Sequence, residues 1–126
     1  MKSQDWELQL ERQRYEQELL MDPRNAEAHF DLAALLEDHF KEYDLARKHI
    51  EAAVDLEPDN DAAHFNLGLL LTSHFEEHAL ARTHFEKALA IAPDDSMTLY
   101  QLALLHDDHL NDENVANTYY ERAIDT

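Results

Sequence analysis

The chain has 126 residues, with 28 acidic side chains against 10 Lys and Arg and a formal net charge of −18. That balance argues against nucleic acid, whose phosphates must be met by Lys and Arg, and against an anionic membrane surface. With no Cys, one Gly and three Pro, the composition leaves no disulfide framework, thiolate nucleophile or cysteine-built zinc site, and it favours long helices over Gly-rich hairpins.

Self-similarity at 35 residues organises the rest. Pro23, Pro58 and Pro93 lie one period apart, as do Leu32, Leu67 and Leu102, and Ala46, Ala81 and Ala116. A period in the thirties denotes one supersecondary unit that cannot bury its apolar face alone and stacks on copies of itself.

In chain order, residues 4–21 read as a capping helix. Set one period before the second helix of the first unit, Tyr15 falls under Ile50, whereas Glu11 and Glu18 fall under Ala46 and Ala53. A helix that keeps the large apolar position but replaces both contact alanines by Glu has no first helix to pack on, so those positions face water. Trp6 and Leu10 are expected against the first repeat.

The first repeat, 24–58, carries a helix from about Ala26 to Phe40 with the stripe Ala28, Leu32, Leu35 and Leu36. A second helix runs from about Tyr43 to Leu56 with Ala46, Ile50, Ala53, Val54 and Leu56. Pro58 blocks its continuation, and Asp59-Asn60-Asp61 offers the next amino-terminal cap. The second repeat, 59–93, uses Ala63, Leu67, Leu70 and Leu71, then Ala81, Phe85, Ala88, Leu89 and Ile91. The third, 94–126, uses Leu99, Leu102 and Leu105, then Val115, Ala116, Tyr120, Ala123 and Ile124. The whole span reads as a single domain, 1–126. At Thr126 the pattern would next call for a Pro and a further helix. The edge formed by Tyr119, Tyr120, Ala123 and Ile124 is therefore expected to be partly exposed, either because the chain is cut from a longer protein or because this edge self-associates.

Each of Leu32, Leu67 and Leu102 is followed by a small residue (Ala33, Gly68, Ala103), and the large apolar positions Ile50, Phe85 and Tyr120 sit between Ala46, Ala81, Ala116 and Ala53, Ala88, Ala123. With Pro58 and Pro93, this pattern over about residues 24–126 resembles the tetratricopeptide repeat. The resemblance implies an all-α fold: an α-solenoid, a right-handed superhelix of three helix-turn-helix repeats with an amino-terminal capping helix. Small residues at the crossing let helices approach to about 8–10 Å. The chain departs from the family in four ways. The aromatic near the start of the first helix is His29, His64 and Leu99; the third large residue of that helix is Leu36, Leu71 and His106; the usual turn Gly is missing; and each unit is one residue longer than the commonest length. The extra residue falls between Leu36 and Ala46, where His39-Phe40 returns as His74-Phe75 and His109-Leu110. That pair is expected to rebuild the corner with an aromatic plug.

Enzyme signatures are missing: there is no Gly-rich phosphate loop and no Ser in a nucleophile-elbow context. A non-enzymatic protein without a cofactor is expected. Among nine histidines, His29 and His64, His39, His74 and His109, and His49 and His84 obey the period, which common ancestry of the repeats explains without a ligand. His78 and His106 stand outside it. A histidine-dependent metal binder is the weakest reading, and no metal ligand is assigned.

The resemblance also implies a concave groove lined by the first helices. By register its partner-binding positions are Phe30, Asp31, Ala34, Glu37 and Asp38; Phe65, Asn66, Leu69 and Ser73; and Tyr100, Gln101, Leu104 and Asp108. Phe30, Phe65 and Tyr100 form an aromatic row one period apart, readable equally as partly core. None of these positions is Lys or Arg, which argues against a clamp for a terminal carboxylate, and a basic or apolar peptide suits the groove better. The −18 charge reads first as solubilising or as adaptation to a salty cytoplasm, with attraction of a basic partner as the functional alternative. With no apolar run near about 18 residues and no secretory h-region, a cytoplasmic scaffold for protein–protein interaction is expected, monomeric or weakly homo-oligomeric. The alternative is a self-assembly module stacking through the uncapped carboxyl edge.

Overall fold

The computed structural model describes residues 3–125, so Met1, Lys2 and Thr126 at the ends of the predicted span lie outside it. All regular structure among the described residues is helical: α1 (Ser3–Met21), α2 (Ala26–Leu35), α3 (Tyr43–Leu56), α4 (Asp61–Leu70), α5 (His78–Ile91), α6 (Ser96–Asp108) and α7 (Glu113–Asp125). The caps explain where the first helices start. Asn25 Oδ1 accepts the Ala28 amide at 3.0 Å, and Asn60 Oδ1 accepts the Ala63 amide at 3.2 Å. Asp95, one period further on, accepts the Met97 amide at 3.1 Å and the Thr98 hydroxyl at 3.0 Å. Each satisfies an amide that the helix itself leaves without a partner.

The chain divides into two compact units at Pro58 and Asp59. In the first, α2 packs against α3 and α1, and Ala28, Leu32, Leu36, Ala46, Ile50 and Ala53 are buried. In the second, α4 packs on α5, α5 on α6, and α6 on α7. Its core includes Leu67, Leu71, Ala81, Phe85, Ala88, Leu102 and Ala116. Gly68 lies under the Phe85 ring, so close that an added Cβ would sit 2.7 Å from a ring carbon. The outer residues of the predicted stripes fare differently: Ile91 and Ile124 are exposed. Trp6 and Leu10 of α1, expected against the first repeat, are among the exposed large hydrophobic side chains, at 60% and 48%. Leu8, Tyr15 and Leu19 are the half-buried ring and aliphatic side chains of that helix.

The corners show how the thirty-fifth residue is accommodated. α2 runs into a π-helical turn over Leu36–Phe40, and the Lys41 and Glu42 amides both donate to the Leu36 carbonyl. The same closure follows α4 over Leu71–Phe75, with Glu76 and Glu77 donating to the Leu71 carbonyl. A π-turn takes one residue more than an α-turn, so the added residue is absorbed without shifting either helix face. Lys41 (φ 56°), Glu76 (φ 53°) and Asn111 (φ 52°) are left-handed, in the place where helices more often end on Gly. The third corner keeps a single π-type closure without the longer π-helical segment: the His109 and Leu110 amides meet the Leu105 carbonyl, and the Asp112 amide meets that of His106. Backbone closure therefore makes the corner. Phe40, Phe75 and Leu110 are half-buried behind it, while His39, His74 and His109 stay exposed.

Candidate functional site

In the first unit, α1 and α2 flank a cleft of about 380 Å³ lined by Arg14, Tyr15, Glu18, Asn25, Glu27, Ala28 and Asp31. Asp31 is half-buried, and burial, followed by the facing carboxylates of Glu27, Glu18 and Glu11, pushes its carboxyl above the ordinary range. Burial likewise pushes up the Tyr15 hydroxyl, which donates to Glu11 Oε1 at 3.3 Å. The Arg14 guanidinium lies 5.4 Å from the Tyr15 ring centroid. Three lining carboxylates against one guanidinium, with Glu11 beside Tyr15 adding a fourth negative charge, make a site whose unmet demand is for positive charge. Of the positions predicted in this unit, Asp31 lines the cleft. Phe30, Ala34 and Glu37 are half-buried elsewhere and Asp38 is exposed. Arg14, Tyr15 and Glu18 also line the cleft, although the expected positions are confined to the first helices of the repeats and leave out the capping helix; its Glu-rich register carried the signal.

In the second unit, a smaller cleft of about 130 Å³ gathers Thr72, Phe85, Gln101, Leu104, Leu105, Asp108 and His109. Three predicted positions, Gln101, Leu104 and Asp108, thus come together, whereas Asn66, Leu69 and Ser73 do not line it. The Thr72 hydroxyl donates to the Gly68 carbonyl at 3.0 Å. The aromatic row divides between core and surface. Phe65 is half-buried, edge-on to Phe85 at 5.8 Å, while Tyr100 is 49% exposed and tilted against Tyr120 at 6.0 Å.

Tyr100 also belongs to a third, mainly apolar cleft. It holds about 430 Å³ between α6 and α7, lined by Ser96, Met97, Tyr100, Tyr120, Ala123 and Ile124. Tyr120, Ala123 and Ile124 of the predicted carboxyl edge line it; Tyr119 instead stacks on His106 at 5.7 Å, and the Arg122 guanidinium lies 5.7 Å from the Tyr119 ring centroid. Burial, then Asp107 and Asp108, raises the Tyr120 hydroxyl, so the apolar cleft has an acidic rim.

The histidines form pairs. His29 Nδ1 meets His49 Nδ1 at 2.9 Å, and one period later His64 Nδ1 meets His84 Nδ1 at 3.1 Å. The two histidines outside the period behave differently: His78 Nδ1 and His106 Nδ1 are buried without a hydrogen-bond partner, as is Arg82 Nε. His78 stacks on His109 at 3.8 Å. Burial, then Arg82, holds His106 below the ordinary histidine value. No group of three His, Cys, Asp or Glu among the described residues is placed to hold a metal ion, and no helix among them is long and apolar enough to cross a membrane.

A tetratricopeptide repeat family model matches residues 12–55 and 40–96. No curated protein matches the sequence. Among solved structures, the chain is similar to a crystal structure of MamA protein, with 22% identity and a TM-score of 0.82 over 90% of this chain and 61% of that one. A MamA RS-1 ArsTM double mutant gives 20% identity and a TM-score of 0.85 over 98% of this chain and 67% of that one. MamA residues 41-end from Desulfovibrio magneticus RS-1 gives 20% and 0.83 over 98% and 68%. The chain thus spans about three-fifths to two-thirds of the length of these structures. What it shares with them is the fold, an all-α α-solenoid of helix-turn-helix repeats.

Proposed function

This chain belongs to the tetratricopeptide repeat family of protein-interaction scaffolds, and we propose that it works without catalysis, holding a basic or apolar segment of a protein partner on the concave faces of its repeats. The observation that carries the reading is the α1–α2 cleft, where Glu18 and Glu27 share the lining with a half-buried Asp31 and Glu11 adds its charge. A Lys or Arg side chain entering there relieves mutual repulsion among carboxylates, whereas an acidic tail adds to it. The Phe65 and Tyr100 rings supply apolar contact in the second unit.

A fluorescent Lys/Arg-rich peptide with aliphatic spacers, and its Glu-rich counterpart, test the charge preference. The basic peptide should bind, weaken several-fold between low and physiological salt, and lose about tenfold in affinity with the doubly neutralised variant Glu27→Gln/Asp31→Asn. Phe65→Ala with Tyr100→Ala should weaken it while helicity is kept. Equal binding of the two peptides would reject the proposal.

The α6–α7 cleft favours a second reading, self-association through the carboxyl edge. Met97 at 63% and Ile124 at 80% exposure flank Tyr120 there, an apolar surface of the kind that marks interaction sites. Mass measured against concentration, with and without Tyr120→Glu, decides it: a strict monomer at high concentration rejects self-association.

A further inference from the structure

We propose that the His29–His49 pair is an acid-labile clasp between α2 and α3, closed when at most one of the two imidazoles is charged and opened when both are. The geometry assigns the protons. His29 Nε2 lies 2.8 Å from the Pro23 carbonyl, and a carbonyl can only accept, so Nε2 carries the hydrogen. A neutral His29 then offers a bare Nδ1, and the 2.9 Å contact requires that His49 donate from its own Nδ1. His49 is held in the less common tautomer by its partner.

Protonation is therefore asymmetric. A proton added to His49 goes to Nε2 and leaves the Nδ1–H donor in place, strengthening the contact as a charged donor. A proton added to His29 goes to Nδ1, setting two N–H groups face to face with like charge behind them. The pair accepts its first proton with the clasp intact and loses the clasp with the second. The groups facing His49 are His29 from α2 and, from α1, Glu16, which favours its charge, and Arg12, which opposes it. Burial, then His29, holds His49 below the ordinary histidine value. The unfolded chain takes that proton first, because burial of His49 outweighs the stronger contact, so the first proton already costs stability as pH falls from about 6.5 through the lowered folded value, and the second opens the clasp. The second unit repeats the Nδ1–Nδ1 contact at His64 and His84, so two of the three repeats share the arrangement.

Nitrogen-15 NMR of the imidazoles in the whole chain, together with amide exchange in α2 and α3 corrected for intrinsic chemistry, tests the clasp. At pH 7.5 His49 should carry its proton on Nδ1 and His29 on Nε2. Corrected exchange across the α2–α3 seam should be about tenfold faster at pH 5.5, the equivalent of one pKa unit. His49→Phe keeps a ring and removes the facing donor, and its seam should show no such acceleration. Finding His49 protonated on Nε2 at pH 7.5, or a seam whose corrected exchange is unchanged by acid, would overturn the proposal; the tautomer result stands even if the variant fails to fold.

Discussion

Arg12 and Glu42 join the amino-terminal helix to the corner between α2 and α3: both terminal guanidinium nitrogens meet the carboxylate, the second at 3.3 Å. The same guanidinium lies 4.8 Å from the centroid of Phe40, the half-buried ring of that corner, and its Nε reaches Glu16 at 3.4 Å. One side chain thus serves as hydrogen-bond fork, ion-pair partner and cation over an aromatic face. It docks α1 while Trp6 and Leu10 stay exposed.

Arg12→Met should lower the thermal midpoint and speed amide exchange in α1 more than in α3. The pair is solvent-accessible, so added salt should narrow the gap between wild type and variant. The Arg12 hydrogen bond holds the Glu42 carboxyl below its ordinary value. Its stabilising contribution is therefore present above the ordinary carboxyl range and fades as pH falls through the lowered value. Exchange measured at pH 7 and pH 3 checks both points; equal protection of α1 in the two proteins at pH 7 would contradict the docking role.

Gly68→Ala should destabilise the second unit by about 1–3 kcal/mol, the usual range for overpacking a dense core. The cause is the Phe85 ring, which is 1% exposed and has no room to retreat from a Cβ at 2.7 Å. The first repeat has Ala33 and Ile50 at the corresponding positions, so the two sites trade volume. Gly68→Ala combined with Phe85→Ile should regain most of the loss. Urea unfolding of the two single variants and the double variant measures the coupling.

Lys41→Gly and Glu76→Gly should each stabilise the chain by roughly 0.5–1 kcal/mol. Both residues hold positive φ, where an L side chain costs about 1–2 kcal/mol, offset in part by the larger entropy of an unfolded Gly. Midpoints in urea with unchanged m-values would show that the gain comes from stability and not from altered compactness.

Asp31→Asn should act in opposite directions on stability and on binding. Burial and its carboxylate neighbours raise the Asp31 carboxyl, so the folded chain binds that proton more readily than the unfolded one. The charged group costs stability above its raised value and ceases to cost it as pH falls. The neutral variant should therefore be more stable than wild type at pH 7, with the difference shrinking toward pH 4, while binding a basic peptide more weakly. Thermal scans and peptide titrations on the same samples test the pairing.

The repeat was legible because periodicity is a one-dimensional property. Asn25, Asn60 and Asp95 cap three helices at the period, and Ala46, Ala81 and Ala116 are fully buried at the period. The extra residue is expected between Leu36 and Ala46, the span that holds the π-helical turn, since an insertion shows as a shift in spacing. Its conformation was not legible. Nothing in Lys41 or Glu76 announces a left-handed residue, because the preference comes from backbone closure onto Leu36 and Leu71 and not from either side chain.

The candidate site divides in the same way. Register alone brought Gln101, Leu104 and Asp108 to one cleft and Tyr120, Ala123 and Ile124 to another. It overlooked Arg14, Tyr15 and Glu18, which reach a site from a helix that the pattern could describe only as half a repeat.

By itself, then, the sequence determined the helical repeat, its length, its caps and its acidity, all of which follow from local preferences and from apolar spacing along one chain. Only the tertiary structure decided which side chains face each other: Arg12 with Glu42, Gly68 with Phe85, His29 with His49. Those meetings depend on distances of a few ångströms between residues 17 to 30 positions apart, and spacing along the chain does not encode them.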